Sequence, residues 1–295
     1  MELTNDKNKI IEHYDAVSPY YQKLWGNHIH HGYWVRGDET KEQAQDQLID
    51  HLAALAKIPR GATILDIGCG FGGTSLYLAR NYAAATTGIT ISEVQVQMAQ
   101  EAAAKQSANA RFLRMDAEAM AFDQLFDVLW SMESISHYQD RAKFFDSTSK
   151  FLKPGGIFAL TDWFKRSNLT PAEQKKYIDP IDEGMFVRLA TMDTYVDWLQ
   201  AAGLDIVCQE DISKPCARSW DLGLEIVADP KFWTLAAKLG RDFVKNLKSF
   251  RAMRAGFASG AFVYGLIVAK NPEVSNRVAP ASLPFQNGRA GSPAE

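Results

Sequence analysis

Three groups of side chains in this 295-residue sequence have types and spacings that could do chemistry. The first is a glycine-rich run, Ile64-Leu65-Asp66-Ile67-Gly68-Cys69-Gly70-Phe71-Gly72-Gly73-Thr74, which follows a short apolar segment and opens a helix-period one. Glycine there lets the backbone turn through positive φ and lets a ligand approach with no Cβ between, while the helix that follows offers free N–H groups. An adenosine-bearing cofactor suits such a turn. The second group, Glu133 and His137, leaves another apolar run, 126–132, and supplies a carboxylate and an imidazole able to move a proton. The third is His28, His30 and His31, set among Trp25, Tyr33 and Trp34. H-x-H-H invites a metal, but no carboxylate or cysteine pattern accompanies it, and adjacent histidines rarely turn toward one ion, so no metal is expected.

The glycine spacing fits two patterns. Gly68, Gly70 and Gly73 satisfy the dinucleotide G-x-G-x-x-G, and Gly68, Gly70 and Gly72 a tighter G-x-G-x-G. Asp66 precedes the turn where it can meet a cationic amino-acid end, and Thr90 ends the second apolar run where a dinucleotide site would carry an acid. Both features favour S-adenosylmethionine over NAD. An NAD-dependent oxidoreductase and a non-catalytic cofactor-binding module stay open as alternatives.

The elements that must position these groups follow from periodicity. Short apolar runs at 62–67, 84–89, 111–115, 126–132 and 156–162 alternate with helix-period segments at 74–82, 93–106 and 140–152, the signature of βαβ units around a parallel sheet. Two further strands are expected at 204–209 and 262–269, with 164–192 and 213–258 as insertions over one end of the sheet. The division expected is a helical segment and cofactor-closing loop at 1–60, a cofactor-binding core at 61–163, a substrate cover with the last strands at 164–272 and a disordered tail at 273–295.

Composition narrows the function classes. With 46% hydrophobic and 23% charged residues the chain reads as an ordinary soluble globular protein, which excludes collagen, coiled coil and wholesale disorder. A net charge of -3 repels polyanions weakly, so no nucleic-acid partner is expected. Three cysteines make no disulfide framework, the start lacks the features of a secretory signal, and the longest apolar stretch, 261–269, is about half a membrane span. The location expected is cytoplasmic. Lys231, Lys238, Arg241, Lys245 and Lys248 mark one face of a helix over 231–254, opposite Leu235, Leu239, Phe243, Leu247 and Phe250. That face is a solvated exterior, a peripheral membrane contact or a lure for an anionic substrate.

Four ordered segments carry a resemblance: 64–73, then Thr87-Gly88-Ile89-Thr90-Ile91-Ser92-Glu93-Val94-Gln95, then Phe126-Asp127-Val128-Leu129-Trp130-Ser131-Met132-Glu133-Ser134, then Phe151-Leu152-Lys153-Pro154-Gly155-Gly156. Together they resemble the successive motifs of class I S-adenosylmethionine-dependent methyltransferases. Through Leu24-Trp25-Gly26-Asn27-His28-Ile29-His30-His31-Gly32-Tyr33 the chain is most similar to the γ-tocopherol, sterol and sarcosine methyltransferase-like group. The fold expected is α/β, a doubly wound, Rossmann-like, mostly parallel seven-stranded sheet with its last strand antiparallel and helical insertions covering the substrate.

The resemblance implies that Asp66, Gly68 and Gly70 line the methionine end of the cofactor, Thr90 and Gln95 hold the ribose, and Asp116, Ala117 and Glu118 meet the adenine, with Trp25 and Ser131 completing the set. It also implies a closing loop in which Tyr20, Tyr21, Trp25, Tyr33 and Trp34 exclude water, although core packing competes for these aromatics. Glu133 and His137 are the leading acid/base pair, against a structural carboxylate and a capping or packing histidine. His30, Tyr21, Trp163, Met185 and Trp220, with Phe164 and Phe186, are the candidate acceptor contacts. The activity expected is methyl transfer to a small, apolar metabolite (phenolic, terpenoid or prenyl diphosphate), chiefly at carbon, with N- or O-methylation of a small amine or hydroxylated natural product as the alternative.

Overall fold

A computed structural model describes residues 5–228, 233 and 241–273. Strands β1 (Thr63–Ile67), β2 (Ala85–Thr90), β3 (Ala110–Arg114), β4 (Phe126–Met132), β5 (Leu152–Lys165), β6 (Asp205–Asp211) and β7 (Phe262–Lys270) form one sheet in the order β3-β2-β1-β4-β5-β7-β6. The first five run parallel, and β7 lies antiparallel between β5 and β6. Helices α1 (Asn5–Trp25) and α2 (Lys41–Leu55) precede the sheet, and α3 (Gly73–Asn81), α4 (Glu93–Gln106) and α5 (Arg141–Ser149) cross between its parallel strands.

The apolar runs fold this way because a parallel strand is covered on both faces. Ile64, Val128 and Trp130 pack toward Leu48, Ile49 and Leu52 of α2, while their neighbours Leu65 and Leu129 pack toward Phe144 and Phe145 of α5. Local signals fix the helix starts: Thr40 and Gln43 make a reciprocal capping box at α2, and the Ser92 hydroxyl accepts the Gln95 N–H at α4.

Two expectations change in extent. The strand expected at 156–162 runs from Leu152 to Lys165, because β7 pairs with it from Ile157↔Lys270 to Lys165↔Phe262 and Leu152 pairs with Phe126 across an irregular register. The insertion after β5 becomes α6 (Pro171–Glu173), a π-turn (Gln174–Ile178), α7 (Asp179–Met185) and α8 (Met192–Ala201). Between β6 and β7 lie α9 (Ser213–Cys216), α10 (Arg218–Ala228) and α11 (Arg241–Ser259). The tail from residue 274, Lys231, Lys238 and the side chains of Arg241, Lys245 and Lys248 lie outside the described residues, and with them the cationic face. Among the described residues no helix is long and apolar enough to cross a membrane.

Candidate active site

The carboxyl ends of the parallel strands open onto one cavity, where open α/β sheets bind their ligands. The β1–α3 turn forms its floor. Gly68 sits at φ 78°, and a Cβ there would lie 2.3 Å from the Ser134 hydroxyl, so only glycine fits. Gly73, the residue that made the spacing ambiguous, packs against the N-terminal loop: a Cβ on it would lie 1.9 Å from the Asn27 carbonyl oxygen. Beside the turn, Asp66 is 2% exposed and accepts a 2.5 Å bond from the Ser75 hydroxyl. Burial pushes its carboxyl up to about 7 against the pull of that bond.

The end near β2 and β3 is polar. The Thr90 hydroxyl donates to Gln95 Oε1 at 2.6 Å, and Gln95 Nε2 donates to Ser18 of α1 at 3.1 Å. Asp116, Ala117 and Glu118 follow β3 and line the same end. Lys7 of α1 reaches over them, 2.6 Å from Asp116 Oδ2 and 2.8 Å from Glu118 Oε2, and the Ser92 hydroxyl donates to Asp15. These bonds hold α1 across the cavity. This end could hold an adenosine, because glycine in the floor lets a ligand approach the backbone and polar side chains stand at the rim.

The other end is aromatic and holds a bonded carboxylate. Glu133 takes φ 52°, a left-handed conformation that costs a non-glycine residue of order 1–3 kcal/mol and is concentrated at functional sites. Its Oε1 accepts three bonds, from the His31 N–H at 2.6 Å, His31 Nδ1 at 2.8 Å and the Tyr264 hydroxyl at 2.7 Å. Burial alone would push this carboxyl up, but the His31 ring and backbone N–H outweigh it and hold Glu133 below the usual carboxylate range. The His31 ring stacks on Tyr264 at 4.5 Å and meets Trp220 edge-on at 4.7 Å. Across the cavity, His137 Nδ1 lies 3.1 Å from the Phe186 carbonyl and Nε2 lies 3.1 Å from the Tyr14 hydroxyl. Burial lowers the His137 pKa and takes His30 down to about 3.

Residues 1–225 match the mycolic acid cyclopropane synthetase family. The chain belongs to that family. It is an S-adenosylmethionine-dependent methyltransferase with a Rossmann-like fold. It is 32% identical over 270 residues to the 27-O-demethylrifamycin SV methyltransferase of Amycolatopsis mediterranei, covering 90% of this chain and 98% of that one. To the chloroplastic tocopherol O-methyltransferase of Arabidopsis thaliana it is 30% identical, over 89% of this chain and 82% of that one. The crystal structure of the [4+2]-cyclase SpnF superposes with a TM-score of 0.79 at 27% identity, over 90% of this chain and 95% of that one.

Of the residues singled out in this methyltransferase's sequence, the structure brings nearly all to the cavity: Trp25, Asp66, Gly68, Gly70, Thr90, Gln95, Asp116, Ala117 and Glu118 with Glu133 and His137, and His30, Tyr21, Trp163, Met185 and Trp220. Ser131 does not line it. Its hydroxyl donates to the Ile67 carbonyl at 3.1 Å, behind the floor, and Ser134 faces the cavity instead. Phe164 also turns away, against Tyr195 at 4.8 Å, because adjacent strand residues face opposite sides and Trp163 takes the cavity side. Tyr20, Tyr33 and Trp34 stand outside the lining; Tyr33 stacks on His51 at 4.5 Å and Trp34 is buried beside Pro215. The histidines diverge: His28 Nε2 faces Asp46 at 3.2 Å, His30 Nδ1 faces the His31 carbonyl at 2.8 Å, and His31 faces Glu133. Sequence reasoning passed over His31, Tyr264, Tyr14 and Lys7 as site residues; for His31 the H-x-H-H pattern was the available signal.

Proposed function

We propose that this methyltransferase transfers a methyl group to a hydroxyl oxygen on a small, lipophilic acceptor. The observation that carries the reading is the acceptor end of the cavity: Trp163, Met185, Phe186 and Trp220 make an apolar wall, and the Glu133–His31 and His137–Tyr14 pairs are set into it. Such a pocket binds an apolar body and orients it by a few polar points. Two relatives with the chain-wide similarity described above are named 27-O-demethylrifamycin SV methyltransferase and tocopherol O-methyltransferase, which supports oxygen over the carbon expected from sequence.

In this reading residues 61–163 hold the cofactor and the elements from 164 onward cover the acceptor. Asp66 faces the ammonium of the methionine end, Thr90 and Gln95 the ribose, and Asp116 to Glu118 the adenine. When bound, S-adenosylmethionine supplies an electrophilic methyl on a sulfonium. The chain's own residues then position the acceptor for in-line attack and keep water out. The test is incubation with methyl-labelled cofactor and a panel of phenols, hydroquinones, sterols and small amines, followed by extraction and mass spectrometry. Label in a methoxyl group of a hydroxylated apolar acceptor supports the reading; label at carbon or nitrogen alone, or none in any extract, refutes it.

A further inference from the structure

We propose that His31 is the catalytic base, taking the acceptor's hydroxyl proton at Nε2, and that Glu133 is its positioning carboxylate. The inference rests on the oxygen reading above and adds the group that handles the proton. His31 is 5% exposed and lines the acceptor end of the cavity between Trp163, Trp220 and Tyr264. An ionised carboxylate only accepts, so the 2.8 Å contact to Glu133 places the proton of a neutral ring on Nδ1 and leaves a lone pair on Nε2. That Nε2 is buried without a hydrogen-bond partner. Leaving a buried polar atom unpaired is costly and calls for an explanation, and an acceptor hydroxyl bound in the cavity that His31 lines supplies one.

Glu133, His137, His30 and His28 are each less suited to the role. Oε1 of Glu133 already accepts three bonds. His137 contacts a carbonyl through Nδ1, so its Nε2 accepts from Tyr14. His30 also carries an unpartnered Nε2, but its Nδ1 contact is a backbone carbonyl rather than a carboxylate, and burial outweighs the pull of Glu133 and lowers its pKa. His28 has a carboxylate, Asp46, yet its free Nδ1 sits beside Gly73 at the turn, away from the aromatic wall.

The step balances without another reactant. As the acceptor oxygen bonds the methyl carbon, the carbon–sulfur electron pair returns to sulfur, leaving a neutral thioether. The hydroxyl proton passes to Nε2, and the resulting imidazolium lies against the Glu133 carboxylate until water takes the proton after product leaves.

Two experiments test this on the full-length protein. The first needs no acceptor: two-bond proton–nitrogen correlation on histidine-labelled protein loaded with S-adenosylhomocysteine, with His31 assigned by its loss in His31→Gln. The expected result is an Nδ1–H tautomer with bare Nε2, shifting toward Nε2–H in Glu133→Gln; an Nε2–H tautomer in the unsubstituted protein overturns the proposal. The second compares phenols of increasing acidity. His31→Gln should lose ~10²–10⁴-fold in turnover of weakly acidic phenols and under about tenfold for nitrophenols ionised before binding. Calorimetry should find S-adenosylhomocysteine affinity unchanged within about twofold. An equal loss across the series, or none, overturns the base role; methylation of the panel at carbon or nitrogen alone overturns the oxygen reading instead.

Discussion

Titrating the protein with S-adenosylhomocysteine between about pH 5 and pH 7.5 should show affinity falling as the solution becomes more acidic. The cause is Asp66. Its carboxyl, ordinarily near 3.8, is pushed up to about 7 by burial, so below neutrality the free protein holds a proton there. An amino-acid ammonium favours the ionised carboxylate, and binding must then expel that proton. For a group raised in the free state and lowered in the complex, each pH unit below about 7 weakens binding by about tenfold, or ~1.4 kcal/mol. At about pH 5 the loss reaches roughly a hundredfold, provided that the bound carboxyl titrates near its ordinary value. Calorimetry in buffers of different ionisation enthalpy would also count the released proton. Asp66→Asn should bind weakly throughout, with a flat profile. A flat profile in the unsubstituted protein, or an unaltered slope in Asp66→Asn, would refute the assignment of Asp66 to the ammonium.

Other substitutions probe the rest of the site. Gly68→Ala should abolish cofactor binding and cost of order 1–3 kcal/mol in urea melts, since φ is 78° and Ser134 blocks the new methyl. Gly203→Ala, at φ 83° with nothing within 4 Å, is the control: it should lower stability by about 1 kcal/mol and leave cofactor affinity intact. Lys7→Met removes the two ion pairs that hold α1 over Asp116 and Glu118, each a partly exposed contact of ~0.2–1 kcal/mol, so stopped-flow release of S-adenosylhomocysteine should speed up by a few fold. An unchanged release rate would mean that α1 does not gate the cofactor. Trp220→Phe should raise the KM for a lipophilic acceptor and spare cofactor affinity, while a matching loss of cofactor affinity would place Trp220 outside the acceptor wall.

The parallel half of the sheet was legible because its strands are covered on both faces and so read as unbroken apolar runs, punctuated by a turn whose glycines are demanded by Ser134 and Asn27. The residues proposed to hold the cofactor were legible for the same reason: they sit at strand ends, close in sequence to the runs that carry them. The acceptor end was harder to read. Tyr264 meets Glu133 only because β7 inserts beside β5, and no local pattern announces a contact between residues 131 apart in the chain. Tyr14 reaches His137 because α1 folds back over the cavity. Phe164 turns away from the cavity for a physical reason: a strand ending at 162 would let two adjacent aromatics both turn inward, whereas β5 continues to Lys165 and its alternation forces them apart. The triple histidine reads as a cluster in sequence, but Gln45 holds the His28 and His30 carbonyls at 3.0 and 2.9 Å and the three rings face three different partners.

The most direct measurement of the central claim is the carbon-13 spectrum of the product made from ¹³C-methyl cofactor and a hydroxylated lipophilic acceptor. A single enriched methoxyl resonance is the predicted result. Enrichment confined to a carbon- or nitrogen-bound methyl, or label retained entirely by the cofactor, would contradict it.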